Sequence, residues 1–309
     1  MKDYLIEINE KFPVRRSSEQ KNGLFEYVKT EAEAIGLTAR IETFQKKHNN
    51  IVIGDYEKAD IVYTAHYDTP ARSLVPNLMM PRNPFIARLY GLGIPILIAF
   101  ASLGIAYGIQ SGLGLPYPMF AVIYLVLYFG AIFGIMRCGS NMSNKNDNTS
   151  GVAAVLSIMA NNPKNAAYIL FDNEENGLLG SKALLRSNKV LWESKPLINF
   201  DCVGNGSSFV IVAMEKAEKH PVFAKISDTV KSNGDYNVGL YSKKGSVGNT
   251  DSKNFPCGFS VMACKKSKKG VLYTPYIHTK RDTVASSSNI YFLAEAFSGL
   301  SLTVSEAKV

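Results

Sequence analysis

The chain has 309 residues, 46% of them hydrophobic, with 34 Lys and Arg against 26 Asp and Glu for a formal net charge of +8. That length allows one large α/β domain of ordinary size plus an insertion. The excess positive charge includes Lys46-Lys47, Lys243-Lys244 and Lys265-Lys266-Ser267-Lys268-Lys269, and none of these runs is interleaved with aromatic residues. This excludes a nucleic-acid platform and leaves solvated loop faces, or a contact with acidic lipid headgroups, as their use. Cys138, Cys202, Cys257 and Cys264 have no paired Cys-x-x-Cys spacing and read as buried or incidental thiols rather than a closed thiolate site.

Residues 1–11 form an amphipathic helical pattern with charges throughout, and it lacks the apolar core of a secretory signal. The expectation is a catalytic domain on the cytoplasmic side, where unpaired cysteines stay reduced. The run Ala59-Asp60-Ile61-Val62-Tyr63-Thr64-Ala65 reads as a buried strand that delivers His66-Tyr67-Asp68 at its carboxyl end. His66 and Asp68, two residues apart, fall on one face, so Asp68 can accept the second N–H of His66.

An unusual stretch follows: 80 residues separate His66 from Asp147. Residues 89–110 and 117–136 carry no charge, and each matches the ~20 residues that cross a bilayer as a helix. Ser111-Gly112-Leu113-Gly114-Leu115-Pro116 joins them as an uncharged connection, giving a helical hairpin within an insertion at 73–140. Arg72, Arg82, Arg88, Arg137 and Lys145 all flank the hairpin and none lies at its tip, which places the flanks in the cytoplasm by the positive-inside rule. Tyr90, Tyr107, Tyr117 and Tyr128 suit interface anchors. The alternative is a hydrophobic lid or dimerisation arm in a soluble protein; so large an exposed apolar surface in water favours the bilayer.

Beyond the insertion, Asp147-Asn148-Thr149-Ser150-Gly151 precedes the small, apolar helical run Val152–Met159. A carboxylate there is either a helix cap or a bidentate bridge between two cations. A second buried strand, Ala166–Phe171, leads into Asp172-Asn173-Glu174-Glu175. Adjacent glutamates point different ways, so one can bind metal while the other faces substrate as a general base. Leu197-Ile198-Asn199-Phe200 leads into Asp201, and Tyr276-Ile277-His278-Thr279 supplies a second imidazole. Strands at 209–212 and 260–263 and helices at 224–230 and 290–304 complete a mixed sheet covered on both faces, with His48 and His220 in polar loops. Taken singly, each site segment is an ordinary cap or turn. As an ordered set of two imidazoles and several carboxylates at strand ends, they make the nitrogen and oxygen environment that zinc prefers when a position must stay open to water.

These segments resemble metallopeptidase family twenty-eight, the co-catalytic dizinc exopeptidases, which include leucyl aminopeptidases, glutamate carboxypeptidase and, more distantly, glutaminyl cyclase. The resemblance rests on His66-Tyr67-Asp68, Asp147-Asn148-Thr149-Ser150-Gly151, Glu174-Glu175-Asn176-Gly177-Leu178-Leu179-Gly180-Ser181 and His278-Thr279-Lys280-Arg281-Asp282-Thr283, and spans roughly residues 20–72 and 141–305. It implies a zinc exopeptidase fold, a mixed and mostly parallel β-sheet flanked by helices, formed by residues 1–72 and 141–309 with the hairpin inserted. It also implies two zinc ions: one on His66 and Asp201, the other on Glu175 and His278, Asp147 bridging both, Glu174 as general base and Asp68 as the partner of His66. Two departures stand out: Ser252 occupies a position that is often aromatic or imidazole, in Thr250-Asp251-Ser252-Lys253-Asn254-Phe255, and Asn173 stands where Gly is usual.

The implied activity is removal of N-terminal residues from peptides at the cytoplasmic face of a membrane, by a multi-pass protein held in the bilayer through residues 89–136. The alternatives are a glutaminyl cyclase or carboxypeptidase on the same fold, and a catalytically silent membrane scaffold. The Asp147–Gly151 segment looks like the peptidase version and weighs against the cyclase.

Overall fold

The computed structural model describes residues 2–44, 48–246 and 249–300. Lys46-Lys47 and the stretch 301–309 lie outside the described residues.

Helix α1 (Tyr4–Lys11) is capped by the Asp3 carboxylate and buries Tyr4, Leu5 and Ile8 against the core. Helix α2 (Ser18–Glu33) opens on a capping box, with Ser17 accepting from the Gln20 N–H and the Gln20 side chain returning to the Ser17 N–H. The strands β1 (Ala39–Phe44), β2 (His48–Ile53) and β3 (Ile61–His66) follow. After the insertion come α5 (Gly151–Ala160), β5 (Ala166–Phe171), α6 (Leu179–Ser187), α7 (Lys189–Trp192), β6 (Leu197–Phe200), β7 (Ser208–Ala213), α8 (Pro221–Thr229), β8 (Asn237–Ser242), β9 (Gly258–Lys266), β10 (Leu272–Ile277) and α9 (Ser287–Ser298). The insertion itself holds β4 (Asn77–Met79), α3 (Pro84–Gly112) and α4 (Tyr117–Met136).

One ten-stranded mixed sheet runs β1-β2-β5-β3-β6-β9-β10-β4, with β7 and β8 extending from β9. Its centre, β5-β3-β6-β9, is parallel, as is the β7–β8 pair, while the margins are antiparallel. The two faces follow the period of two along β3: Ile61, Tyr63 and Ala65 pack under α1, α5 and α9, and Val62 packs with Leu184 and Trp192 of α6 and α7. Helix α5 is apolar on all sides and buried throughout, as a helix enclosed between a sheet and other helices must be.

Three local expectations are corrected. His48 does not sit in a loop but opens β2 paired with Phe44, and its ring is buried; an isolated polar His-Asn-Asn start hid a strand whose apolar half begins only at Ile51. His220 is the N-cap of α8, its Nδ1 accepting from the Val222 N–H ahead of Pro221. The last helix spans Ser287–Ser298 and closes at Gly299, and the remainder of the expected run, 301–304, lies outside the described residues. Cys202, Cys257 and Cys264 are buried and Cys138 is partly so; all four are free.

The hairpin leaves and re-enters the domain through a narrow root. Ala71 bridges Ser140, Arg72 N–H donates to the Gly139 carbonyl at 2.9 Å and Cys138 N–H returns to Arg72 O at 2.8 Å. Strand β4 adds to the sheet edge beside β10, and Arg82 lies 4.2 Å over the Tyr241 ring while donating to Ser246 Oγ at 2.7 Å. Helix α3 carries Pro95 in its interior and extends beyond the expected span at both ends; α4 matches its span. In their most apolar windows α3 and α4 are only 11% and 0% buried, with mean hydropathies of 2.1 and 2.3, so both are long and apolar enough to cross a membrane. Of the tyrosines, Tyr107 and Tyr117 are exposed, Tyr90 donates to the Pro76 carbonyl at 2.7 Å, and Tyr128 stacks on Tyr124.

Candidate metal centre

Three parallel neighbours end at one edge of the sheet: β3 on His66, β5 just before Asp172–Glu175, and β6 just before Asp201. Asp147 arrives from a wide turn, Lys145–Ser150, in which Asp147 and Asn148 depart from helical geometry and are joined by a cis peptide. Asn148 ties this turn to the sheet. Its Oδ1 accepts from Gly151 and Cys202 N–H at 3.0 and 3.2 Å, and its amide donates to the Phe200 carbonyl at 3.0 Å. Glycine is required at 151 because a Cβ there would lie 2.3 Å from both Asn148 Oδ1 and the Phe200 carbonyl. His278 follows β10 in left-handed geometry, with φ 64°.

Asp147 stands at the middle of the cluster. Its Oδ1 is 3.2 Å from His66 Nε2, which is also 3.9 Å from Asp201 Oδ1. Its Oδ2 is 3.0 Å from His278 Nε2, which is 3.3 Å from Glu175 Oε2. The donor atoms therefore form two groups able to hold metal ions, His66–Asp147–Asp201 and Asp147–Glu175–His278, sharing one carboxylate; Glu174 lies with Glu175 and His66 in a third. Asp68 meets His66 and the glutamate pair together. His66 Nδ1 faces the Asp68 backbone carbonyl at 3.1 Å and lies 3.6 Å from the Asp68 carboxylate, which also accepts the N–H groups of Glu174 and Glu175 at 3.0 and 3.3 Å.

Burial pushes Glu175 up to about 8, and burial with neighbouring Glu175, Asp251 and Asp201 lifts Glu174 well above the carboxylate range despite His66. Burial also raises Asp201. Burial works the same way on Asp147, but His278 and His66 more than reverse it and hold Asp147 below its ordinary value. On the imidazoles burial opposes charge; Glu175 and Asp147 outweigh it and carry His278 to about 9, while Glu174, Asp147 and Asp68 carry His66 well above its usual range. Carboxylates and imidazoles packed this closely share protons until a cation replaces them.

Several contributors were not singled out from the sequence. Asp282 accepts the N–H groups of Asn146 and Asp147 at 3.2 and 2.9 Å, and burial beside Asp147 pushes it up to about 8. Asp251 is fully buried, hydrogen-bonded to Ser181 and raised by burial to about 7. Arg15 is fully buried, donating to the carbonyls of Tyr67 and Phe12 at 2.6 and 2.8 Å and to Thr149 Oγ1 at 3.2 Å; burial lowers it to about 10 against the pull of Asp68 and Asp147. Asp172 turns away from the cluster to pair with Lys21 at 2.5 Å. Ser252 is buried against Thr250 at 2.9 Å and does not face the cavity.

The cluster opens into a cavity of about 640 Å³ walled on one side by Asp68, Glu175 and His278 and on the other by Phe129, Ile132, Phe133 and Met136 of α4, with Arg16, Lys21 and Arg137 at its margin. The donors fit resident cations. They are nitrogen and oxygen ligands only, Asp147 offers one oxygen to each group, and Glu175 Oε1 is buried without a hydrogen-bond partner.

Residues 144–294 match the family model described as peptidase family M28. No curated protein matches the chain. Among solved structures the chain is similar in fold to the glutaminyl cyclase of Porphyromonas gingivalis, with a TM-score of 0.56 and 13% identity over 96% of this chain and 95% of that one. It is likewise similar to a leucine aminopeptidase precursor from Bacteroides thetaiotaomicron (TM-score 0.55, 14% identity, 96% and 94% covered) and to the LapA aminopeptidase of Legionella pneumophila (0.54, 16%, 96% and 69%). The chain is thus an enzyme with the fold of an M28 peptidase, a hydrolase architecture common to aminopeptidases and glutaminyl cyclases. Its cluster of His, Asp and Glu side chains is able to coordinate metal ions.

Proposed function

We propose that the chain is a dizinc aminopeptidase held at the cytoplasmic face of a membrane by the inserted hairpin. The carrying observation is the division of the Asp147 carboxylate between two imidazoles, with His66 and Asp201 on one side and Glu175 and His278 on the other. In this reading residues 1–72 and 141–309 form the peptidase unit and 73–140 the insertion. His66, Asp147 and Asp201 hold one zinc; Asp147, Glu175 and His278 hold the other. Two zinc ions there supply a Lewis acid for the scissile carbonyl and an acidified water. Glu174, half-buried beside Glu175 and His66 and raised by its surroundings, takes the proton of the attacking water and returns it to the leaving amine. Asp68 anchors the Glu174–Glu175 backbone through its two accepted N–H bonds, fixing the base relative to the ligands. The acidic residues around the cluster favour a substrate with a free α-amine.

The membrane reading is supported by the exposure and hydropathy of α3 and α4 and by the basic residues confined to the hairpin root. Purified protein in detergent or nanodiscs should contain two zinc ions per chain and release chromophore from aminoacyl anilides in a chelator-sensitive manner. A specific likeness favours one second reading, since the glutaminyl cyclase fold matches over nearly its whole length. Release of pyroglutamyl peptide from an N-terminal Gln peptide, without anilide hydrolysis, would establish the cyclase instead.

A further inference from the structure

A second chamber of about 320 Å³ lies between the lower turns of α3 and α4 and strand β4, lined by Leu78, Tyr90, Ile94, Ile98 and Ile135 among other mostly apolar residues. It adjoins the metal-side cavity: His278, Ile132 and Met136 line both. The chamber thus begins beside a residue of the metal cluster and runs into the inserted hairpin. Its volume is about twice that of the ~150 Å³ apolar cavity that accepts a benzene ring, so it holds a large aromatic or branched side chain with room for adjoining backbone.

One feature indicates a peptide occupant rather than a lipid chain. Pro95 has no N–H to return to the carbonyl of Gly91, and both residues line the chamber, so an apolar wall carries a backbone acceptor free for a peptide N–H.

We infer that this chamber is the subsite for a large apolar side chain adjacent to the scissile amide, so that the hairpin selects peptides with apolar ends, the class released from membrane segments. The inference rests on the amide-hydrolase reading of the metal centre but is tested separately from it. Gly91 offers a way to fill the chamber, because a Cβ built there meets nothing within 4 Å. In the full-length protein in nanodiscs, Gly91→Phe is expected to lower the ratio of kcat/KM for Phe-anilide over Ala-anilide at least tenfold, mainly through KM, whereas Leu103→Phe, on the exposed part of α3, leaves the ratio unchanged. Independently of turnover, a peptide with N-terminal photoleucine, irradiated with chelator-treated wild-type protein, should leave adducts on Tyr90, Ile94 or Ile98, competed by Phe-amide. Adducts confined to other residues, or competition by a fatty acid but not by Phe-amide, would overturn the assignment. Adducts in the chamber without hydrolysis of any anilide would sustain the subsite while removing the aminopeptidase reading.

Discussion

Asp68 reaches more of the site than the imidazole beside it. Its carboxylate gathers the N–H groups of Glu174 and Glu175, so Asp68→Ala should let the glutamate pair drift and lower both zinc affinity and kcat by about 10–100-fold. Calorimetric zinc titration and steady-state kinetics check this; an effect on kcat with unchanged affinity would contradict it. Glu174→Gln is expected to keep both metals while turnover falls ~10²–10⁴-fold, measured by metal content and anilide hydrolysis together. Protons complicate metal binding here. Without metal, Glu175 at about 8 and His278 at about 9 are both protonated at neutral pH, so zinc must displace protons from them. Apparent affinity should therefore rise from pH 6 to 9 and flatten above, and the binding heat should differ between buffers of unlike ionisation enthalpy; a buffer-independent heat would refute it. His66, the Glu174–Glu175 pair, Asp201 and His278 stood out in the sequence because each follows an apolar run, and Asp147 because it precedes one. Asp251 and Arg15 were not, since whether an aspartate or an arginine is buried is decided by which distant backbone meets it.

At the level of elements, the sheet centre follows from sequence almost directly: Ile61–His66, Ala166–Phe171 and Leu197–Phe200 are short, mostly apolar runs that end on or lead into an imidazole or carboxylate, and each is a buried strand. Strand β4 could not be read this way. Its three residues, Asn77–Met79, have no propensity pattern, and their state is conferred by the free edge of β10. The segment before α2 is similar: Arg15 fixes it by donating to Tyr67, Phe12 and Thr149, which joins the N-terminal chain to the residues flanking both His66 and Asp147. Arg15→Met would leave these acceptors buried and unmatched, costing on the order of 3 kcal/mol and lowering the melting midpoint by ~5 °C or more. Arg15→Lys should recover little, because one ammonium cannot reproduce the planar fork. Thermal melts of both variants decide this.

For the molecule as a whole, the proposed topology places the Leu113 tip across the membrane from the catalytic unit. In a Cys138→Ser background, where the remaining thiols are buried, an impermeant maleimide applied to intact cells should modify Leu113→Cys and spare Val190→Cys until lysis. The opposite pattern would invert the orientation, and equal labelling would remove the membrane span. The pair of apolar helices was plain from hydropathy, whereas their closeness to the metal centre was not, because it depends on the root that folds them back. At that root Ser73 N–H donates to the His278 carbonyl at 2.7 Å and Leu74 N–H to the Ile135 carbonyl at 2.8 Å. A ribosome makes His66 first, then the hairpin, and only later Asp147, Glu175, Asp201 and His278. The earliest ligand thus waits while the two helices find each other, and the last is seated on a backbone bond to the hairpin's own base. Closure of the hairpin's two legs and seating of the last residue of the metal-ligating cluster are thus joined through one small set of backbone hydrogen bonds.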